Sequence, residues 1–110
     1  MVGLGEFVAA MKEERDSMLS LYVSPEPTTH VGILLADAGL TEDQKHKVVA
    51  ALDSALTDAF YSILLGLDGA GALGSLEQQS FTITGEDGHV VSAGRGDLEE
   101  LAYDAFHGGS

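Results

Sequence analysis

The chain has 110 residues, 45% of them hydrophobic, with four Phe, three Tyr and no Cys, which suits one folded domain over residues 1–110 and excludes disulfide and thiolate chemistry. Eighteen Asp and Glu oppose five Lys and Arg, giving a formal net charge of −13. Such a field repels nucleic acid and anionic lipid and favours cationic partners. Beyond residue 47 the only Lys or Arg is Arg95. A cysteine-free chain fits a reducing, cytoplasmic setting. Residues 1–10 show neither a basic leader nor a long apolar run, and no stretch of about 18 apolar residues is free of charge. Neither secretory export nor membrane insertion is expected.

Apolar residues at Leu4, Phe7, Val8, Met11, Met18, Leu19 and Tyr22 recur at helical spacing and predict a helix over residues 4–22. Glu14 and Arg15 straddle its apolar face, so two charges flank the core. The run Ser24-Pro25-Glu26-Pro27 ends the helix, because proline lacks an amide hydrogen and restricts the residue before it. Thr28 or Thr29 then caps a short helix over residues 30–38, with Val31, Leu34, Leu35 and Ala38 inward and Gly39 as its stop at positive φ.

Thr41 and Gln44 form a T-x-x-Q capping box, with Glu42 and Asp43 placed where the helix dipole favours acids. The helix they open runs to about residue 65. Its apolar stripe is Val48, Val49, Leu52, Ala55, Leu56, Ala59, Phe60, Ile63, Leu64 and Leu67, with Asp53, Thr57 and Asp58 away from it. It is the spine of the domain, with Leu56, Phe60 and Ile63 expected in the core and its second half buried on more than one side.

Residues 68–74 hold three glycines and read as a flexible loop. Residues 80–84 and 89–92 are rich in β-branched and aromatic side chains and flank Gly85-Glu86-Asp87-Gly88, so they predict a hairpin. Phe81 and Ile83 face its dry side, with the C-terminal helix as nearest cover. Asp97 with Glu100 caps that last helix, whose inward face is Leu98, Leu101, Ala102 and Ala105. The expected fold class is α+β, mostly helical: three helices, a β-hairpin and a C-terminal helix around a long central helix.

Motifs that suggest chemistry fail on context. Gly69-x-Gly71-x-x-Gly74 matches a dinucleotide fingerprint by letter, yet it follows a helix where that fingerprint follows a strand. Ala70 and Ala72 occupy the positions a calcium loop fills with oxygen ligands. His30, His46, His89 and His107 have no metal-ligand spacing, so no metal and no cofactor is expected. Glu14, beside Met11 and Met18, is the least ordinary carboxylate. Residues 31–50 resemble a helix-turn-helix in outline, with Lys45, His46 and Lys47 on the second helix, but the net charge leaves too few phosphate contacts.

Charge therefore directs the functional reading toward a non-enzymatic protein-interaction module with an acidic surface for a basic partner. Its most concrete form is a small bacterial immunity or toxin-inhibitor protein. Candidate contact residues are Tyr61, Leu65, Glu86, Asp87, Glu99, Glu100 and Asp104. The alternatives are a small ligand-binding protein or enzyme with an unassigned carboxylate site, and a helix-turn-helix regulator disfavoured by charge. Tyr61, Leu65, Tyr103 and Phe106 fall off the stripes that neighbouring helices bury. A two-fold homodimer in contact through Tyr61 or Leu65, with its acids outward, is expected on that ground.

Overall fold

In the computed structural model the described residues are 1–108; Gly109 and Ser110, part of the single-domain reading, lie outside them. The elements follow in the order α1 (Leu4–Tyr22), α2 (His30–Asp37), α3 (Glu42–Leu67), β1 (Ile83–Thr84), β2 (Val90–Ser92) and α4 (Asp97–His107). The fold is α+β and mostly helical, organised on the long central α3. The helices α1, α3 and α4 pack on one another, while α2 leans on α1. Val8, Leu64, Leu98 and Ala102 form the buried centre, with Leu4, Phe7, Met11, Tyr61, Ile83, Leu101 and Phe106 around it.

Helix α1 keeps its expected bounds, but its two central charges part company. Glu14 is exposed, whereas Arg15 is only 6% exposed. The arginine head reaches α3, where Nη1 donates to Asp53 Oδ1 at 2.6 Å and to Thr57 Oγ1 at 3.0 Å. Its Nε donates to Asp16 Oδ1 at 3.1 Å. Asp53 and Thr57 thus face α1, contrary to their expected place away from the packed side.

That pairing sets the rotation of α3. The face through Asp53, Thr57, Tyr61 and Leu64 meets α1 and α4, so Ile63, one residue away, turns outward and is 49% exposed. The expectation that Ile63 is core is therefore wrong, and Leu56 and Phe60 are half-buried. Burial of the second half on more than one side holds only in its last turn, where Leu64 and Gly66 are buried and Leu65 and Leu67 half-buried; Ala59, Ser62 and Ile63 are all exposed. One 18-residue window of α3 has mean hydropathy 1.5 and only 6% of it buried; by length and composition alone the helix could cross a bilayer.

The start of α3 matches the sequence reading. Thr41 Oγ1 accepts from the Gln44 amide at 3.2 Å and Gln44 Oε1 from the Thr41 amide at 3.0 Å. Thr29 Oγ1 likewise accepts from the Gly32 amide and caps α2, and Gly39 has φ 65°. Leu34 within α2 and Ala38 just beyond it are exposed although they are expected inward. The small Gly32 faces Pro27, Thr29 and the Tyr22 carbonyl, so the helix seats its small side rather than its leucines.

Residues 68–74 are tied down at their start. Asp68 is only 4% exposed. The Ser80 hydroxyl donates to the Gly94 carbonyl at 3.0 Å and to the Asp68 carbonyl at 3.4 Å. Added Cβ atoms at Gly69 and Gly94 would collide with the Ser80 side chain, so glycine is required on both sides of it. These contacts, with the Phe81 amide donating to the Leu67 carbonyl, divert residues 80–81 from the strand ladder. The hairpin is accordingly shorter than expected, with Ile83 opposite Ser92, Thr84 opposite Val90 and an irregularity between them. Packing against β2 comes from α1, where proximity in the chain favours α4.

Helix α4 does not start on an Asp97 cap. Gly96 holds the N-cap position at φ 92° and offers no side chain. Asp68 supplies the cap from the end of α3: Oδ1 accepts from the Gly96 amide at 3.3 Å and Oδ2 from the Glu99 amide at 3.0 Å. A carboxylate across those amides satisfies orphan donors and sits at the positive end of the helix dipole.

Two stability outcomes follow from this packing, both read by chemical denaturation. Leu64→Ala should cost about 3 kcal/mol, and Ile63→Ala less than about 1 kcal/mol. Equal losses would mean that α3 is rotated differently. Asp68→Ala should cost about 2 kcal/mol because it strands two amides, while Asp97→Ala stays within about 0.5 kcal/mol. The reverse order would return the cap to Asp97.

Candidate functional site

On α4 the inward positions Leu98, Leu101, Ala102 and Ala105 leave Glu99, Glu100, Tyr103 and Asp104 on the outward side. Glu99 and Tyr103, and Glu100 and Asp104, are spaced four apart and so stack one turn above another. Tyr61 of α3 approaches the same surface. Its ring meets Tyr103 edge-on at 6.4 Å between centroids and His107 at 4.6 Å with an interplanar angle of 89°. Together Tyr61, Gly96, Glu99, Glu100, Tyr103 and Asp104 line an open hollow of about 380 Å³.

The hollow pairs aromatic surface with three carboxylates. Tyr103 is 55% exposed and presents a ring to solvent. Lys or Arg side chains suit such a place, since a cation gains from the ring face and from the carboxylates at once. Among the described residues no Lys or Arg lines it. Burial, then Glu99, then Tyr103 push the Tyr61 hydroxyl above its ordinary pKa.

Among the candidate contact residues, Tyr61, Glu99, Glu100 and Asp104 are thus brought together. Glu86 and Asp87 stand apart at the hairpin tip, lining a separate hollow with Met1, Val2 and Gly85. Leu65 is half-buried on another side of α3, near Gly71. Tyr61 packs against the core and Phe106 of α4 stacks on Phe60 of α3 at 6.2 Å, so the α3–α4 contact partly covers both. Tyr103 was not among the expected contacts, although the Glu99/Tyr103 and Glu100/Asp104 spacing already places it beside them.

Other chemistry-bearing groups are engaged in structure. Arg15 is occupied by Asp53, Thr57 and Asp16. The start of the glycine loop is held by Ser80 and by Gln78, which donates to the Gly69 carbonyl at 2.7 Å. Lys47 pairs with Asp43, while Lys45 and His46 border a hollow with Leu19, Val49 and Asp53. Among the described residues no three His, Asp or Glu side chains gather at metal-binding distance. No protein-family model matches the sequence, and no curated protein or solved structure matches it significantly.

A spectrophotometric titration checks the state of Tyr61. The folded chain resists an ionisation that the unfolded chain undergoes from about pH 10, so this tyrosine favours the fold below that pH and loses the contribution as pH rises through its raised value. Tyr61→Phe should remove a phenol that titrates above the ordinary value and flatten the fall in stability above pH 10. Loss of a phenol that titrates at the ordinary tyrosine value would place Tyr61 in solvent.

Proposed function

We propose that the protein is a non-enzymatic interaction module that receives a basic protein on the outward face of α4, its most concrete form being a small immunity or toxin-inhibitor protein. The observation that carries this reading is the convergence of Tyr61, Tyr103, Glu99, Glu100 and Asp104 on one hollow in a chain of net charge −13. The long-range field accelerates the approach of a cationic partner, and the hollow supplies the local contacts that distinguish one basic side chain's position from another's. A toxin or secreted-nuclease gene directly upstream is the genomic setting this reading expects. A metabolic setting counts against inhibition.

A short Arg-Gly peptide titrated into the isotopically labelled protein tests the site. Amide shifts should concentrate on α4 and the end of α3. Tyr103→Ala should weaken binding about fivefold, and Glu100→Gln with Asp104→Asn about tenfold. The tip pair Glu86→Gln with Asp87→Asn should leave it within about twofold, as expected for distant surface charges. Equal weakening by both pairs would reduce the interaction to diffuse attraction and sink the assignment of α4.

A further inference from the structure

The rotation that Arg15 imposes on α3 leaves an apolar seam facing outward. Val48, Leu52, Ala55, Ala59 and Ile63 recur at intervals of three or four residues, which keeps them along one face of the helix. Ala55, Ala59 and Ile63 are exposed, and Val48 and Leu52 are half-buried. Within α3 only Asp58 borders this seam; Asp53 points the other way, into its pairing with Arg15. A stretch almost free of acid is notable on a chain with eighteen.

The exposed area is large enough for a partner of standard interface size to cover part of it. The chain exposes 7107 Å², whereas a compact monomer of this mass exposes about 5,800 Å². The difference is roughly 1,300 Å², more than the roughly 800 Å² that each partner commits to a standard interface. The molecule is also elongated, 47 × 29 × 29 Å, along a direction in which a second copy can lie alongside.

The geometry points to a two-fold homodimer in which α3 packs antiparallel against α3 of a second copy. Under that symmetry Leu52 of one copy faces Ala59 of the other, Val48 faces Ile63, and the centre falls at Ala55 and Leu56. Large side chains meet small or medium ones in each pair, so the seam complements itself. Antiparallel alignment also sets opposite ends of the two helix dipoles together. The acidic outward face of α4 is not part of this contact, so it stays free in each subunit. A bilayer is a poorer occupant, because the inward face of α3 is committed to α1 through Arg15 and to the core through Leu64.

The contact differs from one through Tyr61 or Leu65, and the absence of cysteine makes it directly testable. Ala55→Cys places two thiols near the symmetry axis, within disulfide reach, while Ser20→Cys on exposed α1 does not. Under mild oxidation Ala55→Cys should give a covalent dimer at least about tenfold faster than Ser20→Cys. Sedimentation of the unmodified chain should show a dimer that tightens from low to moderate salt as the −13 charges are screened. Ala59→Arg, at an exposed position, should keep the helical circular dichroism and weaken the dimer at least about tenfold. A species of 11.5 kDa at high concentration in both salts would overturn the proposal. So would equal cross-linking by the two cysteine variants, or co-flotation of a monomeric chain with phosphatidylcholine vesicles.

Discussion

The carboxylate of Asp68 joins the end of α3 to the start of α4, and the core depends on that junction. Helix α4 carries Leu98 and Ala102, half of the buried centre, yet its own N-cap is a glycine with no side chain to offer. Without a borrowed acceptor its first turn would leave amides unpaired beside the core. Asp68 provides two oxygens at once, while Ser80 ties the adjoining backbone to Gly94. One residue therefore connects the spine, the loop, the hairpin exit and the last helix. Three further acids, Asp97, Glu99 and Glu100, occupy the first turn of α4, where the helix dipole moderates their mutual repulsion.

A second polar contact decides which way the spine faces. Arg15 enters the α1–α3 interface and draws Asp53 and Thr57 toward it, so α3 presents a mixed face inward and leaves part of its apolar stripe outside. Asp53 retains about half of its side-chain exposure, which limits the desolvation cost of the pair while leaving the guanidinium nearly covered. The same rotation turns Tyr61 toward α4, where its ring contacts Tyr103 and His107. The seam and the aromatic hollow are thus two consequences of one helix orientation.

Charge is distributed in keeping with that division. The outward face of α4 gathers Glu99, Glu100 and Asp104 around exposed aromatic surface, whereas the middle of α3 is nearly free of acid on its outward side. A surface of the first kind attracts cations at a distance and holds them by contact; one of the second kind can be covered only by apolar groups. The hollow takes Tyr61 from the side of α3 that meets α4, while the seam runs along the opposite side, so the two surfaces share no residue.

Local chemistry made much of the fold legible in the sequence. The helical period from Leu4 to Tyr22, the Thr41–Gln44 capping box, Gly39 beyond α2 and the Asp87-Gly88 turn depend on residues within a few positions of one another, and their backbone hydrogen bonds are local too. The five acids and aromatics that define the candidate site were visible as residue types, and helical spacing already grouped those on α4. Their union with Tyr61 was not, because it requires α3 and α4 to meet at a particular rotation. Residues 68–74 looked flexible since nothing nearby in the chain reveals that Ser80 and Gly94 close against them. Asp97 looked like a cap because it precedes an apolar period, while the carboxylate that caps α4 lies 28 residues before Gly96. The sequence by itself determined the helices, the turns and the excess of acid, since each depends on neighbours along the chain. Only the tertiary structure decided which face of α3 is buried, since a long arginine meeting a partner 38 residues away outweighs the apolar pattern of the helix it binds.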